Sequence, residues 1–160
     1  MLSIEQTHFV VQSIVHKPGF TIARLMTPFA QLTLIKTVLA SVPGVSSCRI
    51  GLEAAITPED YPLIRLVPTR LLPQEVGQRR QMELLIYFGA PLLEARDGLE
   101  AVYETLLELE AAIKEALTIT VVKTARDQGQ YLKTQYVETI TDEDRLPHYK
   151  LFAMRWRVEG

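Results

Sequence analysis

Apolar positions along this chain follow two periods, one of three to four residues and one of two, and the periods alternate. From Phe29, the positions Leu32, Ile35, Leu39 and Val42 recur at three- and four-residue steps. That spacing keeps side chains on one face of a helix. Leu34 and Val38 widen the face, so this helix is predicted to be well buried. Thr27 is its expected N-cap and Pro28 its first residue, where a missing N–H costs little. Pro43-Gly44 ends it. A longer helix is predicted over Asp97 to Leu117, its seam traced by Leu99, Val102, Tyr103, Leu106, Leu109 or Glu110, Ile113 and Leu117. Asp97 is its expected N-cap, with Glu100 three residues on as in a capping box.

The two-residue period marks strands. Arg79 to Phe88 is the clearest, with Met82, Leu84, Ile86 and Phe88 on one side and Gln81, Glu83 and Tyr87 on the other. Leu85 is the exception on the polar side. Val45 to Ile50 and Tyr61 to Pro68 read as further strands, Pro62 and Pro68 suiting the ends of the second. Leu71 to Gln78, with Pro73 and Gly77, reads as a loop. The β-branched residues from Thr118 to Val122 are expected to begin a strand. Gly129 to Ile140 and His148 to Val158 read as an antiparallel pair joined by an acidic loop, Thr141 to Pro147. In the last strand Phe152, Met154, Trp156 and Val158 share a face, opposite Leu151, Ala153, Arg155 and Arg157. Near the N-terminus, Phe9, Val10, Val11, Ile14 and Val15 suit a short helix or a strand, the helix being favoured, before Lys17-Pro18-Gly19 breaks the chain. The expected fold is α+β: a mainly antiparallel sheet with two principal helices packed on one face. Residues 1–25 form an N-terminal extension and 26–160 a single domain.

Composition narrows the function classes. A chain of 160 residues fits one domain, and near this length about 70% of the unfolded surface is buried on folding. With 48% apolar and 22% charged residues, global disorder is excluded. A net charge of −2 argues against a dedicated nucleic-acid binder, so no sequence-specific nucleic-acid partner is expected. The single cysteine, Cys48, has no intramolecular disulfide partner, which suits the cytosol. Phe9 to Val15 is too short to cross a bilayer, and no basic segment precedes it as in a signal peptide.

Candidate chemistry is sparse. The chain has no glycine-rich phosphate loop, no Cys-x-x-Cys and no His-Glu-x-x-His. His8, His16 and His148 are scattered, and a metal site would need a third ligand beside His8 and His16. Cys48 lies in an expected strand near the core and reads as a small hydrophobe. No catalytic residue, metal or cofactor is expected, although a small enzyme using His16 or Cys48 is one alternative.

Charged residues offer candidate interfaces instead. Glu100, Glu104 and Glu108 form an acidic stripe, either a solvated helix face or a surface for cationic groups of a neighbouring subunit. Like charges at this spacing cost about 0.2–0.5 kcal/mol per pair. Arg65 and Arg70 near the end of one strand, Arg79 and Arg80 at the start of the next, and Glu75 in the loop between them lie close in sequence. They are either edge-strand protection or a patch on the rim of an assembly, contacting an acidic partner or passing DNA. Arg155 and Arg157 flank Trp156, and if that strand lies at an edge it offers strand addition to another subunit.

The order of elements resembles the tail terminators of long-tailed phages, the lambda-type protein and its siphophage and myophage relatives. The likeness is carried by a helix ending in Val42-Pro43-Gly44-Val45 and by Thr57-Pro58-Glu59-Asp60-Tyr61-Pro62-Leu63-Ile64-Arg65-Leu66 leading into a strand. A loop, the strand Gln81 to Phe88, the long helix from Asp97 and two closing strands around an acidic loop follow. The likeness covers about residues 26–160; residues 1–25 depart from the family pattern, in which the helix stands near the start. The resemblance implies a non-enzymatic ring, a hexamer, that caps the tail tube, halts its polymerisation and presents the head-joining surface. It implies as partners other copies of the chain, the major tail tube protein and a head-completion or neck protein, with no membrane. It places the protein in the virion tail, and in the bacterial cytoplasm during assembly. The long loop before Arg79 and the acidic loop with Asp142, Glu143 and Asp144 become candidate contacts with tube or neighbour. The alternatives are a head–tail neck protein, a generic adaptor domain, and a small cytosolic α+β enzyme.

Overall fold

A computed structural model of the chain describes residues 24–53, 55–73, 79–92, 98–146 and 149–160, and for Arg24 and residues 142–146 and 149 it describes the backbone alone. The expected N-terminal helix, His8, His16, Glu75, Asp97 and His148 lie outside the described residues.

The chain enters through β1 (Arg24–Leu25) and helix α1 (Pro28–Leu39). Thr27 caps α1 as expected, its hydroxyl accepting a hydrogen bond from the Ala30 N–H at 3.2 Å. Leu32, Leu34, Ile35, Val38 and Leu39 are buried. Phe29, assigned to the same face, is 70% exposed. It lies about 120° around the helix from Ile35, outside the buried arc. Gln31 occupies the arc instead, its side-chain amide donating to the Met26 carbonyl at 3.2 Å. Gly44, with φ of 83°, follows the helix in a conformation that suits glycine.

β2 (Ser47–Ile50) runs parallel to β3 (Leu63–Leu71), which forms an antiparallel hairpin with β4 (Gln81–Pro91). β3 extends past Pro68, its expected end. The register shifts between Pro68 and Arg70, a bulge where the missing N–H is tolerated. On β4, Met82, Leu84, Ile86 and Phe88 are all buried, as their alternation predicts.

Helix α2 (Leu99–Glu115) follows Gly98 and buries Val102, Leu106, Leu109 and Ile113. It does not stop at Leu117. The chain stays helical through a π-helical segment (Ala116–Val121) and α3 (Val122–Asp127), so the strand expected from Thr118 to Val122 does not form. Leu117, Val121 and Ala125 sit at four-residue steps and are buried in the core, and that packing outweighs the β preference of the branched residues. The threonine hydroxyls bond back along the helix, Thr118 to the Lys114 carbonyl at 2.6 Å and Thr124 to that of Thr120 at 2.7 Å.

After β5 (Gln130–Tyr131), which pairs in parallel with β1, come β6 (Lys133–Leu146) and β7 (Tyr149–Glu159). The five-stranded sheet has the order β2-β3-β4-β7-β6. Two sequence expectations change here. Thr141 to Leu146 is a continuation of β6, not a loop, with register shifts after Tyr136 and after Ile140. β7 lies inside the sheet between β4 and β6, so it is not an edge open to strand addition.

Both principal helices cover one face of the sheet, as expected for this α+β fold. Ile64, Leu66, Ile86, Phe88, Met154 and Trp156 form one cluster with the buried faces of α1 and α2. Phe88 and Phe152 meet edge to face at 5.6 Å.

Candidate functional site

On the sheet face opposite α1 and α2, an extensively hydrogen-bonded polar group is built around Arg65. It was a candidate surface residue, and the structure corrects this: its side chain is 0% exposed. β2 and β4 flank its strand, and hydrogen bonds from the segment between β2 and β3 close over it. A guanidinium can be buried only with its charge and donors satisfied. Its Nε donates to Glu53 Oε2 and its Nη2 to Glu53 Oε1, both at 2.6 Å. Nη1 donates to Ser47 Oγ at 2.9 Å and to the Ile64 carbonyl at 3.0 Å. Asp60 Oδ1 stands 3.4 Å from Nη2.

The segment that carried the family likeness supplies the lid of this cluster. The Thr57 N–H and hydroxyl both donate to Asp60 Oδ2, at 2.9 and 3.2 Å. Ser47 Oγ donates to the Asp60 carbonyl at 2.8 Å. Arg49 adds a second guanidinium at the rim, 3.3 Å from Glu53 and 3.8 Å from Asp60. The Glu53 carboxyl is held below the usual carboxylate range, first by the hydrogen bonds from Arg65 and against its own partial desolvation. The Asp60 carboxyl is also lowered, first by the Thr57 backbone N–H. Glu53, Asp60 and Ser47 were not among the sequence candidates. The available signal was an arginine inside the apolar run Leu63 to Val67, with Glu53 and Asp60 upstream. A charge in such a run requires a partner.

Arg70, Arg79 and Arg80 remain on the surface. The β3–β4 ladder, in which Leu71 pairs with Met82, brings them to one end of the sheet beside the exposed Leu71. Arg70 Nε is 3.9 Å from Glu83 Oε2. The Arg79 guanidinium lies 3.3 Å above the centre of the Tyr131 ring. Arg155 and Arg157 point away from the helices, as the alternation predicts. Arg155 pairs across the sheet with Glu138 at 2.8 Å. Arg157 borders a shallow hollow with Gln81, Lys133, Gln135 and Glu159.

Glu100, Glu104 and Glu108 are exposed on the outer side of α2. Glu110 instead turns inward, accepting from the Thr139 hydroxyl at 2.8 Å. Asp142, Glu143 and Asp144 belong by their backbone to β6; their side chains lie outside the description. Cys48 is half-buried, and burial pushes its thiol up to about 11 despite the nearby Arg65 and Lys36 charges. It is therefore a neutral thiol at physiological pH, not an activated nucleophile. Among the described residues no cluster of three His, Cys, Asp or Glu side chains is placed to hold a metal. No helix among them is long and apolar enough to cross a membrane. Compared with known proteins, the chain matches no protein-family model and no curated protein.

Proposed function

We propose that this chain is a tail terminator, an assembly protein that caps the tail tube of a phage or prophage as a ring and presents the surface to which the head joins. The observation that supports the reading is the element order: α1, a short parallel strand, the β3–β4 hairpin, a long helix and a closing β6–β7 pair, with both principal helices on one sheet face. This is the order on which the family resemblance rests. The acidic stripe of α2 and the arginine end of the β3–β4 hairpin add two unlike outer surfaces, as a ring of identical chains requires. A ring closes through a heterologous contact whose rotation returns to the start. Capping further needs one ring face to match the last tube ring and the other to offer no site for another.

The test is electron microscopy of tails assembled with and without this chain. Overlong tubes in its absence are expected. Tails of normal length in its absence overturn the reading.

A further inference from the structure

Helix α2 presents two exposed stripes side by side. Leu99 is 60% exposed and Leu107 52% exposed, with Tyr103 between them at four-residue spacing. One residue further on each time stand Glu100, Glu104 and Glu108, all exposed. Leu99, Leu107 and the three glutamates lie outside the core, which takes Val102, Leu106, Leu109 and Ile113 from this helix; Tyr103, 37% exposed, has its ring centre 5.8 Å from that of the core residue Phe152 and offers only its outer edge to the stripe. Glu100 in the first turn is favoured by the helix dipole, but Glu104 and Glu108 repel each other without that compensation. Apolar side chains beside a charged margin have the make-up of an interface core and its rim.

The neighbouring sheet edge is a poorer docking element. β6 is the outer strand, but its two register shifts interrupt the row of N–H and C=O groups that another strand would need. Contact through the helix face avoids that obstacle.

A complementary surface lies elsewhere on the same molecule. Arg70, Leu71, Arg79 and Arg80 are exposed together at the connected end of the β3–β4 hairpin. The start of α2 is at the opposite end of β4, where Pro91, Val102 and Thr105 line one hollow, whereas Leu71 pairs with Met82. The stripe runs from the Pro91 end toward the middle of the sheet, since Glu110 accepts from Thr139, which stands level with Met154 and Ile86 at mid-strand. From Ile86 to Met82 is four residues, roughly 13 Å at about 3.3 Å per residue, so the two surfaces are separate patches of one chain. Two unlike, charge-complementary patches at separate places on one chain define a head-to-tail contact, the kind that repeats around a closed ring.

We propose that the Leu99–Tyr103–Leu107 stripe of one copy, with its glutamates, docks on the Arg70–Leu71–Arg79–Arg80 end of the next copy. This rests on the reading that copies of the chain associate, and it names the two surfaces that do so. The apolar residues exclude water at the centre, and the glutamates and arginines fix register and orientation.

The experiment is a charge swap in the full chain, read by sedimentation across protein concentration and salt. One variant carries Glu104→Lys with Glu108→Lys, the other Arg70→Glu with Arg80→Glu; Arg79 is left on Tyr131. All four positions are exposed, and circular dichroism melts of each variant check the fold. Each variant alone is expected to associate about tenfold or more weakly, the scale on which facing charges act. An equimolar mixture is expected to regain association, because in an alternating assembly every altered face meets an altered partner. Wild-type chain that associates while neither variant changes it, a mixture that fails to regain association, or wild-type chain that stays monomeric throughout, each overturns the contact. The capping reading is decided separately by tail length, so it can fail or stand whichever way the charge swap falls.

Discussion

Arg65 and Glu53 lie side by side in the structure, Nε to Oε2 and Nη2 to Oε1 both at 2.6 Å, a two-pronged pair whose arginine half is fully buried. The pair ties the segment after β2 to β3, and Asp60 and Ser47 complete it. The geometry makes the cluster a clamp on the sheet face opposite α1 and α2. Its energetics are set by the buried guanidinium more than by the partly exposed carboxylate.

Removing Glu53 leaves that guanidinium short of two acceptors. Stranding one partner of a buried polar group costs about 1–3 kcal/mol, so Glu53→Ala is expected to lower stability by about that amount. Replacing both partners, Arg65→Met with Glu53→Gln, is expected to cost less than Glu53→Ala alone, because no charge is then left buried without its partner. Urea midpoints of the two variants against wild type check this. A double variant less stable than Glu53→Ala speaks against the clamp.

Acid tests the same cluster. The Glu53 and Asp60 carboxyls both have folded pKa values below their ordinary ones. A group of this kind binds its proton less readily when folded. Its stabilisation is therefore full above the ordinary carboxylate range and is lost as pH falls through the depressed folded value. The urea midpoint is expected to decline on acidification through and below that range. In Glu53→Gln one of the two groups is gone, so the decline contributed by this cluster is expected to be shallower. Parallel pH profiles for wild type and variant refute the assignment.

The sequence revealed the period-driven parts of this fold and missed those decided by distant contacts. Thr27-Pro28 announced α1, and Met82 to Phe88 announced a strand with one buried side, because capping and alternation are local properties. Thr118 to Val122 looked like a strand because its residues are β-branched, but Leu117, Val121 and Ala125 are held in the core at helical steps. Arg65 looked like a surface charge because its partners Glu53 and Asp60 lie 12 and 5 positions upstream, outside its own strand. β7 looked like a possible edge because order within a sheet is not a local property at all. Arg70, Arg79, Arg80 and the α2 glutamates were legible as surface groups; that the arginines gather at one end of the sheet, apart from the glutamates, became visible only with strand register.

Cys48 gives a direct chemical readout of burial. Its thiol is raised from 9.0 to about 11, which leaves about a hundredfold less reactive thiolate at neutral pH. Alkylation by iodoacetamide is expected to be at least about a hundredfold slower in the folded chain than in urea, by the same thiolate ratio. Equal rates in the two states contradict the raised thiol.

Gly89 tests how closely the sheet face opposite α1 and α2 is packed. On β4 it pairs with Leu63 on one side and Leu151 on the other. Those two leucines and Tyr61 make a small second core beneath the turn that precedes β3. A methyl group at Gly89 would meet the tip of Leu151, and would stand 2.8 Å from the Lys150 carbonyl and 3.1 Å from the Tyr61 ring. The leucine tip can turn aside, but the carbonyl belongs to the paired strand β7 and cannot retreat without disturbing the ladder. Overpacking of this kind costs about 1–3 kcal/mol, and Gly89→Ala is expected to fall in that range. Adding Leu151→Ala separates the two contacts. If the leucine tip alone were responsible, the combined variant would be no less stable than Leu151→Ala by itself. With the carbonyl as the fixed obstacle, most of the Gly89→Ala cost is expected to persist in that background, measured as the difference between the two urea midpoints.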